Sequence, residues 1–391
     1  MKRVLIFSLA YYPSNVSGAE VAIKEITDRI APSDIEFHLI TLLFDKAAPR
    51  EELIGNVRVY RVGFGGAYLS KILYIPLAAL KARSLNSKLH FDALWSMMTY
   101  MLMPVMIAKW CGVRVPHVLT LQDGDPYEKV FERAMIKPFV WIIDSGFRTA
   151  AIVQAISQYL ATWPAKRGYT GDVVIIPNGA SIPPNQTYPP EELAALEQKV
   201  GKRDGDIFIV TVARLVHQKA QDMVIRALTL LPANIRYLIV GDGSDRDMLQ
   251  DLTHELGLDD RVIFVGQVDR SETSKYRKIS KVFVHPSRSE GQGIAFLSTM
   301  AAGIPIVATQ EGGIAEFLFD EKRNPDKPTT GWAVDVDSPE QIAAAVKDIL
   351  ARPEKAQEVV DNARKMVTEQ YDWDKVAPRM EQEVFARAFK N

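Results

Sequence analysis

Two successive series of short apolar runs alternate with helix-like patterns, and this alternation restricts the chain to a mainly parallel α/β architecture. The first series runs through Val4–Leu9, Phe37–Leu43, Val57–Val62, Ala93–Trp95, Val118–Gln122 and Ile152–Ala155. It ends at Val173-Val174-Ile175-Ile176-Pro177-Asn178-Gly179. Between the first two runs, Val21, Ala22, Ile26 and Ile30 recur near helical spacing. The second series starts at Ile207 and includes Ile235–Val240, Val262–Val265, Lys281–Val284, Ile304–Ala308 and a short strand at Val334. Pro183, Pro184, Pro189 and Pro190 cluster in a polar stretch between the two series, which marks a linker.

Such an arrangement predicts two Rossmann-like domains facing a cleft, residues 1–185 and 186–373, followed by a helical tail from Asp374 to Phe389. A length of 391 residues accommodates both. One cysteine, Cys111, rules out an internal disulfide and a cysteine-rich metal site. Val4–Ala10 is short and reads as a strand, not a secretory leader. Met97–Trp110 is interrupted by Thr99, Pro104 and Lys109 and falls short of the ~20 residues of a membrane span. A cytoplasmic location is expected.

The stretch His285-Pro286-Ser287-Arg288-Ser289-Glu290-Gly291-Gln292-Gly293 joins an apolar strand to a helix beginning at Ile294. A helix start offers unpaired N–H groups and partial positive charge, which favour anions. The two glycines permit close backbone approach. Ionised Glu290 can only accept hydrogen bonds, never donate them, which suits hydroxyl groups. A second strand, Ile209–Ala213, leads into a loop carrying Arg214 and Lys219, with a helix from Gln221 to Leu231 behind it. Two cations at the carboxyl end of a parallel strand suit a diphosphate. One ligand combines both parts: a nucleotide sugar.

These segments resemble the retaining glycosyltransferases of family four, which have the GT-B fold. The likeness is carried by Ala213-Arg214-Leu215-Val216-His217-Gln218-Lys219, Val240-Gly241-Asp242-Gly243, Ser289-Glu290-Gly291-Gln292-Gly293, Met300–Thr309 and Glu311-Gly312-Gly313-Ile314-Ala315-Glu316. Tyr12-Pro13-Ser14, Ser17-Gly18-Ala19-Glu20 and Ile176-Pro177-Asn178-Gly179 extend it over most of the chain. The resemblance implies that Arg214 and Lys219 bind the donor diphosphate, that Glu290 meets the transferred sugar, and that Gly291, Gln292, Gly293 and Ile294 line it. It implies that Gly18 approaches the phosphates, that the base meets backbone near Gly266 and Val268, and that the tail from about 374 to 391 returns to the first domain. The family's second Glu, eight positions after the first, is Ser298 here; a hydroxyl there can still contact the donor ribose, without charge.

The chain is therefore expected to move a sugar from a nucleotide sugar, UDP-linked in preference to GDP-linked, to a hydroxyl of a carbohydrate or lipid-phosphate acceptor. The resemblance implies retention of configuration and no metal; the nucleotide sugar is a substrate, and no cofactor is expected. Arg214, Lys219 and Glu290 are the expected catalytic residues, and domain closure aligns donor and acceptor. Asp123 and Asp125 are acceptor-side candidates. A non-catalytic nucleotide-sugar-binding protein and a nucleotide-sugar epimerase are the alternatives.

Charge distribution adds one expectation. Residues 1–185 carry 20 Lys and Arg against 15 Asp and Glu, and the remainder 27 against 33. Between Leu53 and Gln122 Asp92 is the only acid, among Arg58, Arg61, Lys71, Lys81, Arg83, Lys88, Lys109 and Arg114. Phe64, Tyr68, Leu69, Ile72, Leu73, Tyr74 and Ile75 lie among them, a mixture suited either to peripheral contact with an anionic membrane or to an ordinary solvated face. A pI near 6.6 gives no general footprint for nucleic acid.

Overall fold

In a computed structural model of the chain, the described residues are 1–13, 16–180 and 188–390. Ser14 of the opening motif and Pro183 and Pro184 of the expected linker lie outside them. The chain divides into two compact units, Met1–Gly179 with Trp373–Asn391, and Ala180–Asp372. The boundary expected after residue 185 thus falls at Gly179/Ala180. Ala180 is fully buried in the second unit's core, and its N–H donates to the Tyr371 carbonyl at 2.6 Å.

Among the described residues, the first unit builds an eight-stranded sheet. Its strands are β1 (Lys2–Phe7), β2 (Ile35–Leu42), β3 (Glu51–Ile54), β4 (Val57–Val62), β5 (Ala93–Met97), β6 (His117–Leu121), β7 (Ile152–Ala155) and β8 (Val173–Ile175). Their order is β3-β4-β2-β1-β5-β6-β7-β8, parallel throughout except for the antiparallel pair β3–β4. β1, β5 and β6 are near-continuous apolar runs, as expected of parallel strands covered on both faces. The helix Tyr68–Leu89 packs Tyr74, Ala78, Ala79, Ala82 and Leu85 into the core beside β1 and β2. Neither this helix nor β3 was expected from the sequence.

The tail is not the single helix expected. A helical segment Trp373–Arg379 gives way to a π turn, Met380–Phe385, and a last turn, Ala386–Ala388. Pro378 has no N–H to offer the Asp374 carbonyl, so the α ladder is already broken just before the π turn. Phe385 packs edge-on against Phe37 and Trp95, at centroid distances of 5.8 and 5.0 Å.

Among the described residues, the second unit builds a six-stranded parallel sheet: β9 (Ile207–Val212), β10 (Ile235–Val240), β11 (Val262–Gly266), β12 (Val282–His285), β13 (Ile306–Ala308) and β14 (Trp332–Ala333). The strand expected at Val334 lies just before it, although the Val334 N–H still donates to the Ala308 carbonyl at 2.9 Å. Successive side chains feed two separate cores. Ile209, Tyr237, Ile239, Val282 and Val284 enter one, and Phe208, Val210, Leu238, Val240 and Phe283 the other. The strand order is β11-β10-β9-β12-β13-β14. From β9 the chain builds outward one way through β10 and β11, then returns to start the other half at β12. The point where the order reverses lies between β9 and β12, where open α/β sheets hold ligands.

Candidate functional site

At this reversal, Val282 and Phe283 pair with Ile209 and Val210, so the segments leaving β9 and β12 emerge side by side. Each carries part of the expected site.

The segment after β9 stays in register with its neighbour beyond the strand. Ala213 N–H donates to the Val240 carbonyl and Leu215 N–H to that of Asp242, both at 3.0 Å. This backbone contact explains two glycines. A Cβ on Gly241 would lie 2.0 Å from the Ala213 oxygen, and one on Gly243 2.2 Å from that of Leu215. Gly241 also needs its φ of +136°. The segment then makes a short 3-10 turn, His217–Lys219, and enters the helix Gln221–Leu228 through Ala220. Ala220 is buried at φ +53°, a left-handed conformation that costs an L-residue roughly 1–2 kcal/mol. Gln221 Nε2 fixes the turn by donating to the Arg214 carbonyl at 2.9 Å.

The segment after β12 is tied to this turn and to its other neighbours. Arg288 N–H donates to the Gln218 carbonyl at 2.8 Å. Thr309 Oγ1 donates to the Ser287 carbonyl at 2.6 Å, and Gly313 N–H to that of Glu290 at 3.1 Å. Gly293 starts the helix Ile294–Ala301 at φ +90°, and a Cβ there would strike the Phe296 ring at 2.5 Å. Gly291 and Gln292 are buried and Ile294 is half-buried at that helix start.

Lys219 Nζ donates to Glu290 Oε2, and each side chain is only 11% exposed. The two groups expected to share one ligand therefore meet. Arg214 is exposed on the same segment as Lys219, with no side-chain partner among the described residues. Ser298 is half-buried on the helix that Gly293 starts. Gly266 ends β11 at φ +81°, and its carbonyl accepts from Gly241 N–H at 2.9 Å. Val268 packs beside the core just beyond it. The parallel sheet thus places the Arg214, Gly266, Val268 and Glu290 segments on its carboxyl edge.

His285, at the end of β12, went unassigned in the sequence. It is 2% exposed, stacked on Phe296 at 4.8 Å, and neither ring nitrogen has a partner among the described residues. Burial, reinforced by Lys219 and Arg277, holds it well below the usual histidine range. The ring is therefore held in its neutral form, packed against Phe283 and Phe296.

Gly18, Asp123 and Asp125 belong to the first unit. Gly18 is exposed at the start of the helix Gly18–Thr27, whose preceding Ser17 N–H donates to Glu20 Oε2 at 2.7 Å. The two acids have different surroundings. Asp123 is 2% exposed, and its Oδ2 accepts from Thr99 N (3.3 Å) and Oγ1 (2.9 Å). Burial pushes its carboxyl up to about 6. Asp125 instead pairs with Lys129 and Arg133 at 2.8 and 3.4 Å.

Residues 194–366 match the family described as "Glycosyl transferases group 1", and residues 16–182 match "Glycosyltransferase Family 4". The chain is 35% identical over 189 residues to an uncharacterized glycosyltransferase of Methanocaldococcus jannaschii, covering 48% of this chain and 47% of that protein. It is 32% identical over 182 residues to a GDP-mannose-dependent alpha-(1-6)-phosphatidylinositol monomannoside mannosyltransferase of Mycobacterium tuberculosis, covering 44% and 46%. The matches span about half the length of these relatives. In fold it is similar to sucrose-phosphate synthase of Thermosynechococcus elongatus, with a TM-score of 0.84, 19% identity and coverage of 99% and 100%.

Proposed function

The chain belongs to the GT-B glycosyltransferases of family four, and on that footing we propose that it transfers a sugar from a nucleotide sugar to an acceptor hydroxyl. The observation that carries this reading is the meeting of Lys219 and Glu290 at the point where the second sheet reverses its order. A cation and a hydroxyl-binding acid stand together there, beside a glycine-lined helix start and within one loop of exposed Arg214.

Arg214 offers a planar fork to phosphate oxygens and Lys219 a mobile point charge. Negative charge on the diphosphate grows as the glycosidic bond breaks, so both contacts strengthen in the transition state. Glu290 accepts a hydrogen bond from a sugar hydroxyl and fixes its orientation. Retention and independence of metal are part of the proposal: the two side-chain cations serve the leaving group, and the leaving phosphate takes the acceptor proton. Ser298, Gly291, Gln292, Gly293, Ile294, Gly266 and Val268 complete the proposed donor set. UDP- and GDP-sugars are the proposed donors. The mannosyltransferase relative named above is GDP-mannose-dependent.

A lipid-borne acceptor is favoured by the first unit's surface. Among the described residues, Phe64, Tyr68, Leu69, Ile72, Met135, Phe139 and Trp141 are exposed, and all belong to that unit. Trp110 and Trp141 stack in the open at 5.5 Å. Aromatic rings beside Lys71, Arg133 and Lys137 suit a membrane interface. No helix among the described residues is long and apolar enough to cross a membrane.

The test is donor turnover by mass spectrometry with UDP-glucose and GDP-mannose, with and without lipid-phosphate acceptors. Sugar transfer that Lys219→Ala and Arg214→Ala abolish supports the reading. Tight donor binding without transfer favours a binding protein, and an epimer formed without acceptor favours an epimerase. Unchanged kinetics in both variants would remove the proposed role of the cations.

A further inference from the structure

Arg288 lies two residues before Glu290, and its guanidinium joins three segments of the second unit. Nη1 donates to the His217 carbonyl at 2.5 Å and to Asp222 Oδ1 at 3.1 Å. Nη2 donates to Asp222 Oδ2 at 2.7 Å, completing a two-pronged fork on that carboxylate. Nε donates to Asp337 Oδ1 at 2.6 Å. The Arg288 N–H holds the Gln218 carbonyl as well. The two carbonyls held by this one residue immediately precede Lys219, and Asp222 follows it in the first turn of the next helix.

The geometry answers a local need. The turn carrying Lys219 ends in the left-handed Ala220. Left to itself, the backbone would relax toward a right-handed or extended form and carry the Lys219 stem with it. A guanidinium suits the restraining role because its planar donors bind a carboxylate in two places and a carbonyl in a third. Its side chain is 14% exposed, so water competes weakly for these bonds.

We propose that Arg288 is a positioning residue for Lys219: it clamps the His217–Asp222 turn so that the ammonium stays where the donor diphosphate is bound. The proposal rests on the reading of Lys219 as a diphosphate ligand. Arg288 acts through the turn.

The experiment is a double-mutant cycle on the full chain, with UDP and GDP as calorimetric probes. Arg288→Gln is expected to weaken nucleoside-diphosphate binding by about 10-fold when Lys219 is present, and by less than about 2-fold in a Lys219→Ala background. Asp222→Asn removes the far end of the fork, keeps the Arg288 charge, and should repeat the pattern if Arg288→Gln folds poorly. Arg288→Lys should not restore binding, because an ammonium cannot make the fork. Equal losses in both backgrounds would show a general structural role and overturn the proposal. So would unchanged binding in Arg288→Gln and Asp222→Asn where Lys219→Ala alone weakens it. If Lys219→Ala binds like the parent, or the parent binds neither probe, the reading of Lys219 fails and the clamp proposal with it.

Discussion

The Lys219 ammonium donates to the Glu290 carboxylate, linking the segment after β9 to the segment after β12. The cation is therefore neutralised by this pairing. A donor diphosphate must compete with Glu290 for Lys219, while the sugar hydroxyls offer Glu290 a replacement. Glu290→Gln removes the competitor and the sugar's acceptor together. UDP or GDP should bind more tightly to this variant, while transfer falls by about 100-fold or more. Calorimetry and initial rates, measured on one preparation, check both halves.

Gly241→Ala should destabilise the second unit. The new Cβ would press on the Ala213 carbonyl, which is fixed backbone, and would do so at φ +136°. A loss on the order of 3 kcal/mol is expected, in the class of overpacking with backbone strain. At roughly 2–4 °C per kcal/mol for a unit of this size, calorimetric melting should fall clearly below the parent.

His117 gives the first unit an acid weakness. Its Nε2 lies 2.9 Å from the Gly146 carbonyl and its Nδ1 3.2 Å from Lys109 Nζ. Nε2 thus donates and Nδ1 accepts, the neutral tautomer. Burial, with help from Lys109, lowers its pKa to about 3. The folded pKa lies below the unfolded one near 6.5, so this stability is complete above pH 6.5 and is lost as pH falls toward 3. His117→Gln should remove up to roughly 1.4 kcal/mol per pH unit from the slope in that window. Urea melts of both proteins at pH 7 and pH 5 measure the difference.

Asp123 works in the opposite sense. Its folded pKa, about 6, lies above the value of an exposed Asp, so the folded state holds the proton more tightly. Ionisation then weakens the fold as pH rises from about 4 to 6, and the penalty is constant above that. Asp123→Asn keeps an oxygen for Thr99 and cannot ionise. Its melting temperature relative to the parent should be higher at pH 8 than at pH 5. Thermal melts at the two pH values decide this, and a parallel turnover assay shows whether the carboxyl also serves the acceptor.

Phe139→Ser with Trp141→Ser should reduce sedimentation with vesicles containing anionic lipid, with little effect on melting, because both side chains are half or more exposed. Equal sedimentation of parent and variant would remove this surface from the proposed membrane contact.

Much of this site was legible because its chemistry is concentrated in short segments. Lys219 follows an apolar strand, and Glu290 stands between a strand and a helix. Their meeting was not legible from spacing, because they are 71 positions apart and converge only through the pairing of β9 with β12. Arg288 was in view without a role, since its partners Asp222 and Asp337 are 66 and 49 positions distant. The helix Tyr68–Leu89 escaped notice because its apolar residues spread around the axis and Pro76 lies within it. The tail read as one helix because apolar spacing cannot register how Pro378 interrupts a backbone ladder.

The second unit begins and finishes at one spot, with Ala180 in a parallel bridge to Asp372 and bonded to Tyr371. Excised as residues 180–372, it would have adjoining cut ends and would lose no strand of its sheet. The remaining chain could be resealed just as simply. A Cβ on Gly179 would lie 2.8 Å from Trp373 N, so a very short splice would turn two separated stretches into one continuous small protein. The polypeptide is in effect one Rossmann-like unit interrupted by another, each with its own sheet and buried core.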